Sequence, residues 1–129
     1  MSVFSDSELA YLRAGQLLGR LATVGPDGLP HVAPVGWSLD ATGTVIEISG
    51  RNFGRSKKFR DAQRTGVAAL VIDDVLPPWR PRGVEVRGRA EAIAGARPRI
   101  LLHPRRIVSW GLESGASIED TYRARDVGA

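Results

Sequence analysis

The alternation of apolar and polar residues predicts that most of this chain is β-structure. The sharpest pattern runs from Val84 to Ile93, where charged residues at every second position alternate with apolar or small ones. This period of two is typical of a strand with one buried face. The same reasoning predicts further strands at Leu18–Val24, Leu29–Leu39, Thr44–Ser49 and Ile100–His103, the last continuing through Ile107 and Val108.

Two stretches depart from simple alternation. Val67 to Ile72 is almost wholly apolar, which favours a strand buried on both faces. Asp73 to Gly83 contains three prolines and is predicted to be a loop. Pro30 and Pro34 lie within a predicted strand and cannot donate hydrogen bonds to a neighbour, so that strand should have an edge or a bulge near them.

Helices are predicted in two places. Near the start, Ser5 is followed three residues later by Glu8, which is the pattern of a capping box, and Gly15 is a plausible end. Ser56 is positioned to cap a second short helix that runs to about Arg64. Six or seven antiparallel strands with two short helices predict a small barrel, a shape that removes exposed strand edges by closure.

The length favours a single domain over residues 1–129, with an N-terminal helix within residues 1–17 and a polar, loosely ordered tail at residues 113–129. The chain has no cysteine and two histidines, so thiolate chemistry is excluded and no metal site is expected. We expect a cytoplasmic protein, because neither a secretory signal nor an apolar run of about 20 residues is present.

The balance of 18 Lys and Arg against 14 Asp and Glu suggests an anionic partner. The most informative segment is Gly50 to Lys58, where a glycine-containing loop leads into the second helix. Lys57 and Lys58 occupy the first turn, where cations are unfavourable unless an anion binds the positive end of the helix dipole. A phosphate there would receive hydrogen bonds from Arg51 and Arg55 as well, while the alternative is a solvated basic surface.

Five motifs in order resemble the pyridoxamine 5′-phosphate oxidase-like, FMN-binding split barrels, and within them the deazaflavin (F420)-dependent actinobacterial branch. They are Gly19–Gly28, Pro30–Val35, Ser56–Asp61, Pro78–Gly88 and His103–Gly111. One departure is Thr65-Gly66, where the family usually has Asn-Pro. The resemblance implies a six- to seven-stranded antiparallel split β-barrel, mainly β with two short helices, and a homodimer with cofactor clefts at the interface.

The resemblance also assigns roles to individual residues. It implies that the cofactor phosphate is held at the start of the second helix and that the second strand lies along the ring system through backbone groups. Trp79 and Arg80 are expected near the cleft, from either subunit. The cofactor-binding residues would be Pro34, Val35, Gly50, Arg51, Asn52, Arg55, Ser56, Lys57, Lys58, Trp79 and Arg80.

Trp110 and His103 are candidates for contact with the substrate or with a second anionic group of F420. Trp79 and Trp110 equally fit interface packing, and His103 equally fits a structural role. No His–Asp pair or triad is apparent, so no catalytic residue is assigned.

The function implied is reduction of a conjugated C=C bond of a small molecule by reduced F420, as in antibiotic biosynthesis. The alternatives are an FMN-dependent oxidoreductase and a non-catalytic flavin- or haem-binding protein. Nucleic-acid binding is not expected, because the cations cluster in one loop without interleaved aromatic residues.

Overall fold

Six of the seven strands in the described residues form a closed antiparallel ring. The computed structural model describes residues 2–15, 17–113 and 117–128. The sheet order is β3-β2-β1-β4-β5-β6-β7, and an additional pairing of β3 with β6 closes the barrel. The elements are α1 (Asp6–Ala14), β1 (Gly19–Val24), β2 (Pro30–Leu39), β3 (Ile46–Ser49), α2 (Lys57–Thr65), β4 (Val67–Leu76), β5 (Arg80–Ile93), β6 (Arg99–Trp110), α3 (Ile118–Thr121) and β7 (Arg123–Asp126).

The interior is filled by alternate side chains from every strand of the ring. Leu21, Ile48, Leu70, Val86 and Ile107 are all fully buried, as the alternation along these strands predicted. β6 divides between two partners, with Ile100–Leu102 on β3 and Arg106–Ser109 on β7. This division gives the barrel its split form, and it confirms the predicted fold class with seven strands and one more short helix than expected.

The fully apolar segment Val67–Ile72 was predicted to be buried on both faces, and this prediction was wrong for the single chain. Leu70 and Ile72 point into the core, whereas Val67 is 51% exposed and Ala69 and Val71 are partly exposed. Their side chains lie on the outer surface of the barrel, since successive side chains of a strand point to opposite faces. That outer surface is therefore apolar and uncovered in one copy of the chain.

The predicted loop at Asp73–Gly83 was also wrong, because β4 and β5 continue through most of it. They pair from Asp73 with Gly83 to Leu76 with Arg80, whereas β1 pairs with β4 only as far as Ile72. Residues 74–82 thus form a two-stranded arm beyond the barrel. Pro77 and Pro78 lie in its turn, where no ladder hydrogen bond from their nitrogens is needed.

The base of the arm is tied to α1 by a polar cluster. Arg82 donates two hydrogen bonds to Asp74, at 2.8 and 3.0 Å, and the Tyr11 hydroxyl donates to the same carboxylate at 2.7 Å. Burial and the adjacent Asp74 carboxylate raise the pKa of Tyr11 above its ordinary value. The phenol is therefore held neutral and serves as a structural donor.

The two termini meet around a buried carboxylate. Glu8 is 1% exposed, completes the predicted capping box with Ser5, and accepts hydrogen bonds from Arg125 at 2.7 and 3.1 Å and from Ser109 at 2.6 Å. Burial alone would raise the pKa of Glu8, but these hydrogen bonds outweigh it and hold the pKa below its ordinary value. The expectation of a loose tail is thus wrong for residues 117–128, while residues 114–116 and 129 lie outside the described residues.

We expect Glu8→Gln to lower the free energy of unfolding by about 2–3 kcal/mol, because it breaks a buried ion pair whose arginine is partly hydrated. The folded pKa of Glu8 is depressed, so its contribution is present above the unfolded pKa and lost as pH falls through the folded value. Urea unfolding between pH 7 and pH 3 measures both effects. Asp126→Asn, which removes an 84% exposed partner of Arg106, should change stability by less than about 0.5 kcal/mol.

Candidate cofactor site

The segment that joins β3 to α2 is fixed to the barrel by two phenylalanine rings. Phe53 and Phe59 are both buried, and their ring centroids lie 5.8 Å apart in an edge-to-face arrangement. Phe53 begins a short 3-10 turn, and Asn52 before it adopts the left-handed conformation with φ 52°, which asparagine tolerates better than most residues. The loop therefore has a defined shape in front of the helix.

Ser56 caps α2 as predicted. Its hydroxyl accepts a hydrogen bond from the Phe59 N–H at 3.3 Å and donates to the Phe53 carbonyl at 2.6 Å. The first backbone hydrogen bond of the helix runs from Arg60 N–H to the Ser56 carbonyl. The N–H groups of Lys57 and Lys58 come before it, and a helix offers them no acceptor. Two backbone donors and the positive end of the dipole thus meet at this point.

Three cations near this helix end carry no ion pair within the described residues. Arg51 and Arg55 are exposed, and the Lys58 ammonium lies 5.5 Å from the centre of the Phe53 ring. Together with the free N–H groups they form what we call the α2 anion site: residues 50–52, 55 and 56–58. The loop and the helix start that the sequence grouped together remain our prediction for the phosphate site.

Lys57 differs from the other cations because it is paired. Its ammonium lies 3.3 Å from the Asp61 carboxylate, one turn further along α2. It also lies beside Gly25 in the β1–β2 turn, where an added Cβ would be 2.9 Å from it. The Lys57 side chain is therefore directed along the helix, away from the N-terminal end.

Asp61 is the centre of a buried polar cluster. It is 2% exposed and accepts hydrogen bonds from the Thr23 hydroxyl at 2.9 Å and from Arg64 at 3.2 Å, besides Lys57. Burial alone would raise the pKa of Asp61, but the hydrogen bonds from Thr23, Lys57 and Arg64 hold it below its ordinary value. The carboxylate is thus kept charged, and it links α2 to β1.

β2 presents a free backbone edge, as its prolines predicted. β3 pairs only with Gly36–Leu39, so residues 30–35 pair with β1 alone among the described strands. Pro34 is exposed and the Val35 side chain is 5% exposed in the core. Val35 therefore has only its backbone to offer a ligand. Pro30 and Pro34 cannot donate to β1, so by alternation the Val32 N–H also points to the free edge.

The structure places Trp79, Arg80 and Trp110 away from the α2 anion site. Trp79 is 75% exposed in the turn of the arm, and Trp110 ends β6 beside Gly83. β4 runs from the level of α2 toward this arm, and the eight residue steps from Ala68 to Leu76 span about 26 Å along the strand. Within one chain, these aromatic residues and the helix start belong to opposite ends of the barrel.

His103 lies on the outer surface of β6, where it is engaged by an acid. Its Nε2 lies 2.9 Å from the Glu91 carboxylate, and its backbone neighbour across the sheet is Arg89.

Among residues 2–15, 17–113 and 117–128, no group of three histidine, cysteine or acidic side chains is arranged to hold a metal ion. No helix in the same residues is long and apolar enough to cross a membrane.

A groove of about 630 Å³ lies on the outer surface next to α2, and sequence reasoning did not find it. Its floor consists of small residues and its rim carries Arg89 and Arg105, neither of which has an ion pair within the described residues. The alternation of charged and apolar residues in the sequence predicted the exposed face of β5. The position of that face at this groove depends on how β1, β4 and β5 are paired, which the sequence does not show. The lining is Ala22, Thr23, Val24, Pro30, Gly66, Val67, Ala68, Ala69, Gly88, Arg89 and Arg105.

A closed antiparallel barrel with a basic loop leading into a capped helix defines the class of split-barrel proteins. Residues 5–111 match the family described as pyridoxamine 5′-phosphate oxidase. The chain belongs to this family, which confirms the resemblance read from its motifs and the oxidoreductase class that goes with it.

Individual relatives support the same placement. The chain is 44% identical to the 5a,11a-dehydrotetracycline/5a,11a-dehydrooxytetracycline reductase of Streptomyces rimosus, over 98% of this chain and 94% of that protein. Its fold is similar to a conserved hypothetical protein of Mycobacterium tuberculosis, with TM-score 0.70, 20% identity and coverage of 91% and 93%. An F420 reductase is also similar, with TM-score 0.62, 23% identity and coverage of 81% and 98%.

We expect Ser56→Asp to separate the cap from the anion site. Aspartate and asparagine are both good N-caps, but aspartate adds a negative charge where an anion would bind. Ser56→Asp should therefore bind inorganic phosphate at least tenfold more weakly than Ser56→Asn, with thermal unfolding midpoints within a few degrees of each other. Equal phosphate binding by the two variants would show that anions do not bind at this helix end.

Proposed function

We propose that this protein is an F420-dependent reductase that acts on a conjugated C=C bond of a small molecule. The observation that carries the proposal is the α2 anion site, where two free N–H groups lie in the same segment as three cations that have no ion pair within the described residues. Such an arrangement fits the phosphate of a flavin-type cofactor. The name of the Streptomyces rimosus relative supports a conjugated polycyclic substrate of secondary metabolism.

The chain's own residues would bind and orient the cofactor. The Lys57 and Lys58 N–H groups, with Lys58, Arg51 and Arg55, would hold the phosphate. The free edge of β2 near Pro34 would lie beside the ring through backbone groups. When bound in its reduced form, the deazaflavin supplies the hydride. This division of labour agrees with the lack of an evident acid–base pair among the residues assigned to the cofactor.

We also propose that the protein is a homodimer and that its outer barrel surface forms the interface. Val32, Val24 and Val67 are 66%, 39% and 51% exposed and lie on one outer face, since Val32 pairs with Ala22 and Ala22 with Ala69. Val24 and Val67 line the 630 Å³ groove, which a second copy would convert into an enclosed cleft. Apolar surface of this kind is characteristic of an interaction site.

A dimer would also account for the distant aromatic residues. Trp79, Arg80 and Trp110 lie at the opposite end of the barrel from the α2 anion site of their own chain. Contributed by the partner subunit, they would lie beside the cleft with Trp79 over the ligand. His103 would then face the interface, where Glu91 holds its ring.

The cofactor is tested by titration of the purified protein. We expect F420 to bind in the low micromolar range or better, FMN to bind more weakly, and pyridoxamine 5′-phosphate not to be oxidised. Lys58→Ala should weaken the binding of both cofactors by about tenfold, since a charge-assisted hydrogen bond contributes about 1.5–3 kcal/mol. Arg13→Ala, which removes an exposed helical cation on α1, should change neither by more than about twofold.

Two results would contradict this assignment. Tight binding of FMN with no binding of F420 would overturn the assignment of F420 as the cofactor. Binding of F420 without reduction of any conjugated ketone, when reduced F420 is supplied, would favour a non-catalytic carrier instead of an enzyme.

The interface is tested by Val32→Glu. A carboxylate in the centre of the apolar surface should convert the dimer to a monomer in analytical ultracentrifugation at micromolar concentration, with the barrel still folded. Leu18→Glu changes a side chain that is similarly exposed, at 56%, but at the other end of β1, and should leave the dimer intact. A monomeric wild-type protein, or a dimeric Val32→Glu variant, would refute this interface.

A further inference from the structure

Asp61 is placed where a negative charge opposes anion binding. It is one of two buried carboxylates in the described residues, the other being Glu8. Whereas Glu8 links α1 to β6 and β7, Asp61 lies one turn below the α2 anion site. Both of its oxygens lie within 3.4 Å of the Lys57 ammonium. Asp61 thus forms an ion pair with Lys57, the lysine at the start of α2.

The direction of Lys57 shows what this contact does. The pair is spaced i, i+4, so the lysine extends toward the C-terminal end of α2 and away from the free N–H groups. Arg64 holds the other side of Asp61 and also donates to the Val24 carbonyl, while Thr23 donates from β1. The carboxylate is therefore fixed in place, and the charge of Lys57 is largely compensated before any ligand arrives.

The charge at the site matters because phosphate groups differ in charge. A phosphomonoester carries about −1.5 to −2 at neutral pH, as in FMN. The phosphodiester of F420 has one ionisable oxygen and carries −1. Electrostatic free energy scales with the charge of the group that lies near the carboxylate, so Asp61 disfavours a phosphomonoester at this position about twice as strongly as a phosphodiester.

We infer that Asp61 is a specificity-determining counter-ion, which compensates Lys57 so that the α2 anion site favours a phosphodiester over a phosphomonoester. This inference rests on the proposed function, since it concerns the same cofactor site. Asp61 acts through Lys57 and the local field, and it is a positioning residue with no contact to the reacting atoms. A purely structural tether between α2 and β1 would affect stability without changing the preference between ligands.

The test compares Asp61→Asn with Asp126→Asn in the full-length protein. Asparagine keeps the size of the side chain and the acceptor for Thr23, and Asp126 is an exposed acid on β7 with an arginine partner. Dissociation constants for FMN and F420 are measured by fluorescence titration at pH 8. We expect Asp61→Asn to bind FMN about tenfold more tightly and F420 about threefold more tightly, in proportion to phosphate charge.

The outcomes are distinct. Asp126→Asn should leave both constants within about twofold. Equal changes for the two cofactors, or weaker binding of both by Asp61→Asn, would overturn the inference, because the acid would then act as a tether or as support for Lys57. If Asp61→Asn does not fold, the variant Arg64→Met replaces it, because it keeps Asp61 but removes a cation that compensates its charge. The affinity for FMN should then fall more than the affinity for F420. Equal losses of affinity for the two cofactors would overturn the inference.

Failure of the proposed function would be recognised separately. If the wild-type protein binds neither F420 nor FMN, the function proposed above is refuted. Asp61→Asn should still bind inorganic phosphate more tightly than the wild type in the millimolar range, with a smaller gain for dimethyl phosphate. An unchanged affinity for both anions would then contradict the role of Asp61 itself.

Discussion

The proposed cofactor site depends on the positive charge at the N-terminal end of α2. A helix end already favours anions, and this one adds Arg51, Arg55 and Lys58 without ion pairs among the described residues. Without a bound anion, the repulsion between these cations and the positive end of the helix dipole would destabilise the helix. The arrangement becomes favourable when a phosphate is bound, and Phe53 and Asn52 define the backbone shape of the loop that carries Arg51 and Arg55.

The barrel explains why a second copy would complete the site. Closure through β3 and β6 removes most strand edges, yet it leaves one edge of β2 open over residues 30–35. The same side of the barrel exposes valines and a groove with small residues at its floor. The arm of β4 and β5 carries its tryptophan in the opposite direction. These positions support our proposal that association of two chains brings the phosphate site, the β2 edge and the aromatic residues together.

Local signals in the sequence were sufficient for much of this structure. Ser5 with Glu8 and Ser56 with the lysines predicted the starts of α1 and α2, and hydrophobic patterning predicted the six strands of the ring, whereas α3 and β7 were not predicted. Contacts between distant residues were not predictable: Glu8 pairs with Arg125, 117 positions away, and Asp61 with Thr23 of β1. The three prolines of residues 77–81 led to the prediction of a loop. Local sequence rules do not show that Pro77 and Pro78 lie in the turn of a two-stranded arm and that Pro81 lies on a strand of that arm. The role of Asp61 likewise became visible only when α2 was packed on β1.

A crystal structure of the protein with F420 bound would test the central claim most directly. The account predicts that phosphate oxygens lie within about 3.2 Å of the Lys57 or Lys58 backbone nitrogen, with Lys58 or an arginine of the loop in contact. A phosphate bound elsewhere, for example between Arg89 and Arg105 with the end of α2 facing bulk water, would contradict it.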